Sequence, residues 1–144
     1  MSHNLKQLAL AAQRFGTPSY AFDISVLQAQ AERLQNLLSE FELYYSLKAN
    51  ASLGICNVLA DAGIGADVAS AGELETAIAA GFPNKHVFVA GPFKTEESEA
   101  RIAQLPDALL SIDSPSEFRR LSSLGLSNRA LLRLRPDFGS CAVV

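Results

Sequence analysis

The chain has no long apolar run, no surplus of positive charge and almost no cysteine, and each absence excludes something. No stretch approaches the roughly 18 consecutive apolar residues of a membrane-spanning helix. The formal net charge is −3 over 144 residues, which leaves no electrostatic footprint for nucleic acid or an anionic membrane surface. The two cysteines, Cys56 and Cys141, form neither a metal-ligand nor a redox spacing. Cys56 falls in a helical pattern and reads as plain core. Lys6 and Arg14 surround a short Leu/Ala patch, without the signal-peptide order of charge, apolar core and cleavage site. Together these features point to a reducing cytoplasm. No P-loop is present. Nor is there a G-x-G-x-x-G, because Gly63 and Gly65 have no further glycine at the needed spacing, which speaks against a nucleotide-binding α/β domain. No low-complexity segment interrupts the chain.

What is present is a globular composition, 49% hydrophobic and 19% charged, long enough for one ordinary domain. Leu5, Leu8, Ala9 and Ala12 give helical spacing over Asn4–Phe15, ending at Gly16. Thr17-Pro18 breaks the chain, and Ser19–Phe22 reads as a short extended run. Asp23 is placed as the N-cap of a helix with Val26, Leu27, Leu34, Leu37 and Leu38 on its apolar face.

From residue 41 a rhythm sets in. Strand-like runs occur at Leu43–Ala49, Gly65–Ala69, His86–Ala90, Ala108–Ile112 and Ala130–Arg135, ending roughly 20 to 23 residues apart. Helical patterns lie between them, at Leu53–Ala62, Glu73–Ala80, Glu96–Leu105 and Pro115–Leu124. Repeated βα units imply a parallel sheet with right-handed crossovers. Ser70-x-x-Glu73 and Ser114-x-x-Glu117 have capping-box spacing, and Pro115 suits a first helical position. Thr95 is a cap candidate, and Gly63, Gly81 and Gly125 sit where helices should end. Five such strands are short of the eight that close a barrel. The expected organisation is a lead-in over residues 1–40 and a partial (β/α) barrel, strands 1 to 5, over 41–144. That partial barrel is read as the N-terminal part of a longer protein.

One stretch stands out within this pattern: Tyr44-Tyr45-Ser46-Leu47-Lys48-Ala49-Asn50. It reads as a buried strand carrying a lysine near its C-terminal end. A buried lysine is costly to desolvate and offers a neutral amine for Schiff-base chemistry. The alternative is a snorkelling surface lysine. If Lys48 points into the barrel, strand alternation sends Ser46 and Tyr44 the same way. Lys48, Asp67, Arg133 and Arg135 are the few charged strand residues, and all lie toward strand C-termini, where α/β barrels build active sites. Each has a structural alternative. Asp67 could form a structural ion pair, Glu73 could serve only its cap, and one of Arg133 and Arg135 could reach solvent. His86 reads as surface, His3 belongs to the N-terminal tail, and Lys94 has no evident partner.

The motifs resemble those of a known family. Tyr45-Ser46-Leu47-Lys48-Ala49-Asn50 is similar to the Y-x-x-K-A-N signature of the fold-type III pyridoxal-phosphate decarboxylases. These are the diaminopimelate, ornithine and arginine decarboxylase group, related in fold to alanine racemase. Gly65-Ala66-Asp67-Val68-Ala69-Ser70-Ala71-Gly72-Glu73-Leu74 resembles that group's G-x-D-V-A-S-x-G-E-L. Gly91-Pro92-Phe93-Lys94-Thr95, Ser111-Ile112-Asp113-Ser114 and Leu132-Arg133-Leu134-Arg135-Pro136-Asp137 match in register, as does Thr17-Pro18-Ser19-Tyr20.

The resemblance implies pyridoxal 5'-phosphate as cofactor, held as a Schiff base on Lys48. It implies decarboxylation of a basic, diamino or carrier-tethered amino acid by a cytoplasmic homodimer. Asp67 and Glu73 would be acidic residues near the cofactor, Arg133 would lie by its phenolic oxygen, and Ser46 is a possible site residue. Ser19–Phe22 would join a C-terminal β-domain. The family's ring-stacking histidine, phosphate loop and pyridine-pairing glutamate lie beyond residue 144, so this stretch alone is expected to be inactive. Ala51 stands where many relatives have proline. An amino-acid racemase is the nearest alternative, although Ala51-Ser52-Leu53-Gly54 lacks the racemases' Tyr-Gly-His. The single-domain pyridoxal-phosphate carriers' G-E-N-x-x-Q run is absent. A non-catalytic, partner-binding relative keeping the fold, like the antizyme inhibitors, is the remaining reading.

Overall fold

A computed structural model describes residues 2–91 and 94–134. Two helices lead in, α1 (Ser2–Phe15) and α2 (Ile24–Leu37). Asp23 caps α2 as its spacing predicts, its carboxylate accepting from the Ser25 and Val26 amides. Ser19–Phe22 forms no strand. It has no neighbouring strand to pair with among the described residues, and Tyr20 stands almost wholly exposed.

Four βα units and a fifth strand follow. The strands are β1 (Tyr44–Ser46), β2 (Gly65–Val68), β3 (Val87–Val89), β4 (Leu109–Ile112) and β5 (Ala130–Leu132). They make one parallel sheet in sequence order. The helices between them are α3 (Leu53–Asp61), α4 (Ala71–Ala79), α5 (Glu96–Ile102) and α6 (Pro115–Ser123). The order follows from the sequence rhythm: each apolar strand run is too short to continue as a helix, and each cap residue starts the next helix. Ser70, Thr95 and Ser114 each accept a hydrogen bond from the backbone N–H three residues on. Gly63, Gly81 and Gly125 end α3, α4 and α6 at positive φ, where a side chain would be strained.

The core lies between the sheet and its helices. Alternate strand residues Ala66, Val68, Val87, Val89, Leu110 and Ile112 are buried there, with Ile55, Leu59, Leu74, Ala77, Ile102 and Leu121 from the helices. Truncating one of the fully buried leucines to alanine costs about 2–5 kcal/mol. Cys56 is buried in this layer, and burial pushes its thiol pKa up, away from reactive thiolate.

The strands are shorter than their apolar runs. β1 stops at Ser46, and Leu47–Ala49 turns as a 3-10 helix. Lys48 is therefore not inside a strand. It lies one turn past an edge strand and is exposed. The desolvation expected of a central-strand lysine is absent here. Arg133 likewise follows β5 rather than belonging to it, although its N–H still bonds to Ile112 O at 2.9 Å. Arg135, Pro136, Asp137 and Cys141 lie outside the described residues, as do Pro92 and Phe93.

Candidate active site

The inner face of the sheet is built in layers. Ser46 is level with Asp67, Asp67 with Phe88, and Phe88 with Leu109. Tyr44, one inward step below Ser46, meets the Phe88 ring of that row edge to face, centroids 6.2 Å apart. Gly65 makes room for them, because a Cβ there would sit 2.6 Å from the Tyr44 ring. Above the row the residues are small: Ala69, Ala90 and Ser111. Aromatic filling below and small residues above leave a cavity of about 600 Å³ at the C-terminal ends of the strands.

Four expected site residues line that cavity: Ser46, Lys48, Asp67 and Arg133. Each reaches it by a different local device. Ser46 is the last residue of β1. Lys48 projects from the 3-10 turn after it, which Tyr45 ties down by donating its hydroxyl to Asn50 O at 3.1 Å. Asp67 is an inward residue of β2, and its Oδ1 is buried without a hydrogen-bond partner. Arg133 extends from the residue after β5, with its Nη1 3.7 Å from Asp113 Oδ2. Phe88, Ala90 and Leu131 add apolar wall.

Glu73 is placed differently. Its Oε2 accepts from Ala69 N at 2.8 Å while Ser70 Oγ accepts from Glu73 N at 3.2 Å. It serves the cap of α4 and is not among the cavity-lining residues. His86 sits at the opposite, N-terminal end of the sheet, with its Nδ1 buried and unpartnered.

Several residues here were not anticipated as site residues. Phe88 and Ser111 were missed as cavity lining, although they share the inward alternation of Asp67 across the sheet. Asp113 was missed as the partner of Arg133. The largest surprise is Lys94, which has three partners. It is 3% exposed, and its Nζ donates to Gly91 O at 2.9 Å, Ser111 O at 2.8 Å and Glu117 Oε1 at 2.7 Å. Glu117 is 4% exposed, and its Oε2 accepts from Asp113 N at 2.7 Å. Removing either partner alone would strand a buried charge at a cost of about 3–5 kcal/mol. Arg120 closes the group from behind, bonding Lys94 O at 3.0 Å and pairing with the buried Glu99. No local pattern signals the Lys94–Glu117 pair, because its members belong to successive βα units.

The set fits pyridoxal phosphate on three counts. An amine stands at the rim, a carboxylate oxygen is buried beside it without a donor, and small residues keep a space of ligand size open. A buried acceptor left unmet is costly, and a bound group carrying a donor would relieve it.

A parallel βα array with lysine, aspartate and arginine around one cavity at the strand C-termini has the layout of a cofactor-binding α/β-barrel enzyme. Residues 24–143 match the family described as pyridoxal-dependent decarboxylase, pyridoxal binding domain. The chain belongs to that family. It is 34% identical over 136 residues to the diaminopimelate decarboxylase of Pseudomonas aeruginosa, covering 90% of this chain and 33% of that protein. It is 33% identical over 150 residues to the L-glutamyl-[BtrI acyl-carrier protein] decarboxylase of Niallia circulans, covering 97% and 35%. Among solved structures, the lysine decarboxylase from Selenomonas ruminantium superposes with a TM-score of 0.80 at 26% identity, covering 90% of this chain and 34% of that one. The chain thus spans about a third of the length of the relatives it matches. The expected fold, the N-terminal part of a pyridoxal-phosphate-binding (β/α)8 barrel, agrees with this likeness. No described helix is long and apolar enough to cross a membrane.

Proposed function

We propose that this chain supplies the lysine-bearing part of the active site of a pyridoxal-phosphate-dependent amino-acid decarboxylase. The observation that carries the reading is the meeting of Lys48, Asp67 and Arg133 around one cavity. When bound, the cofactor supplies an electron sink for the pair left as the bond from the α-carbon to the carboxylate breaks. The protein's residues do the rest. Lys48 would be the residue that holds the cofactor's aldehyde carbon, the Schiff-base role, and its exposed position leaves the amine open to that group. Asp67 offers the unpartnered oxygen to a donor on the cofactor. Arg133 would hold the cofactor's phenolic oxygen, and Ser46 borders the same space. Phe88 and Leu131 supply an apolar stretch of the wall. Glu73 contributes by fixing the turn between Ala69 and α4.

The substrate class is an amino acid bearing a second amino group or a carrier tether. The names of the relatives support it: diaminopimelate, lysine and a carrier-bound glutamyl group. A homodimer in the cytoplasm belongs to the same reading.

The test uses the intact protein. Addition of pyridoxal phosphate should give a visible absorbance band, and borohydride reduction followed by peptide mapping should place the adduct on Lys48. Lys48→Ala should abolish carbon dioxide release. An adduct elsewhere, or normal multiple turnover by Lys48→Ala, would overturn the assignment. Racemisation without carbon dioxide release would replace decarboxylation with the racemase alternative.

A further inference from the structure

We infer that Lys94 and Glu117 are positioning residues for this cavity, acting on the cofactor through Asp113 and Arg133. The inference rests on the pyridoxal-phosphate reading above. Its basis is an unbroken path of polar contacts. The Lys94 ammonium commits its three protons to Gly91 O, Ser111 O and Glu117 Oε1. The other Glu117 oxygen holds the Asp113 N–H. The Asp113 side chain accepts from Ser111 Oγ at 3.4 Å and faces Arg133 at 3.7 Å. Ser111 and Arg133 line the cavity.

The fold contains its own control. In the β2–α4 unit, Glu73 and Ser70 make the same cap that Glu117 and Ser114 make in the β4–α6 unit. Among the described residues the first cap has no buried ammonium. Capping α6 therefore does not require Lys94, and a buried ion pair is not a cheap way to gain stability. What Lys94 adds is a fixed spacing between the ends of β3 and β4, and a hydrogen bond that holds Glu117 in place against the Asp113 amide. Arg133 is 64% exposed, and among the described residues it pairs with Asp113. A long, exposed guanidinium keeps one direction only if its partner is itself held, and the Lys94–Glu117 pair holds it.

The experiment is a double-mutant cycle on pyridoxal-phosphate binding to the intact apoprotein, measured by equilibrium dialysis, with apoprotein melting as the folding control. Lys94→Met/Glu117→Gln removes both charges together and leaves a carbonyl to cap Asp113. The dissociation constant should rise about tenfold with Arg133 present, and by less than about twofold in an Arg133→Ala background, because the pair acts through that arginine. Equal losses in both backgrounds would make the pair a structural feature alone and overturn the inference, as would no loss in either. If that variant does not fold, Lys94→Gln/Glu117→Gln keeps a donor for the carbonyls and enters the same cycle. Failure of the functional reading is separate and visible first: the wild-type apoprotein would bind no pyridoxal phosphate and form no borohydride adduct on Lys48, and the inference would fall with it.

Discussion

Replacing Gly91 by alanine should destabilise the protein although it adds only one methyl group. A Cβ at Gly91 would stand 2.8 Å from Ala69 O and 3.2 Å from Ala69 C. Both are backbone atoms, so no side chain can swing away. The ends of β2 and β3 would have to part, beside the Ala90 N to Val68 O bond of 2.8 Å. Gly91 O is also a partner of Lys94 at 2.9 Å. Overpacking of this kind costs about 1–3 kcal/mol. The lower entropy of an unfolded alanine returns about 0.4–1 kcal/mol. The mid-range net loss is therefore about 1.3 kcal/mol, with an upper bound of about 2.6 kcal/mol. Gly54→Ala is the matched control. It lies in α3 with nothing within 4 Å of its added Cβ, and should stabilise by about 0.4–1 kcal/mol. Urea unfolding of the intact protein reads both, at slopes near about 1–3 kcal/mol per molar. The two midpoints should move in opposite directions. A Gly91→Ala midpoint at or above wild type would refute the close-approach argument.

Ser70→Ala should lower stability by about 0.5–2 kcal/mol, because it removes the acceptor for the Glu73 amide at the start of α4; a urea midpoint equal to wild type would count against the cap. Asp23→Asn should give a pH-dependent effect. The Ser25 hydroxyl first, then the Val26 amide, hold the Asp23 carboxyl below the ordinary aspartate range. Its contribution is present above the unfolded-state pKa and lost as pH falls through the folded value. The gap between wild-type and variant midpoints should close toward acid, and a gap constant with pH would contradict this. The 144-residue chain on its own should self-associate, because Leu131, Leu132 and Leu134 are exposed in and just after β5, which has no second partner strand among the described residues. Sedimentation as a clean monomer with cooperative unfolding would argue otherwise.

The βα rhythm was readable because each signal is local. Strand runs, cap residues and terminal glycines repeat within a few positions, and the parallel order follows from right-handed crossovers. Boundaries were less readable. Leu47 is apolar and fully buried, so it extends the apparent strand although the backbone has already turned. That one misplacement moved Lys48 from a desolvated strand interior to an exposed rim. Alternation still brought Ser46, Lys48 and Asp67 to one cavity, because a 3-10 turn carries the side chain back toward the inner face. Lys94 shows the opposite limit. Its partner is 23 residues away in the next unit, and neither residue differs locally from an exposed lysine or a capping glutamate.

The Asp113 amide, held by a side chain instead of a helix or sheet ladder, also makes a timing device. An amide exchanges with solvent when its acceptor leaves, and here the acceptor leaves only if Glu117 does. Lys94 binds Glu117 to the carbonyls of Gly91, just after β3, and Ser111 in β4, so Gly91 and the turn from β4 into α6 should open as one cooperative unit and not separately. The exchange rate of that single proton would then clock how often the mouth of the cavity loosens, and the Lys94 amide should share its opening free energy.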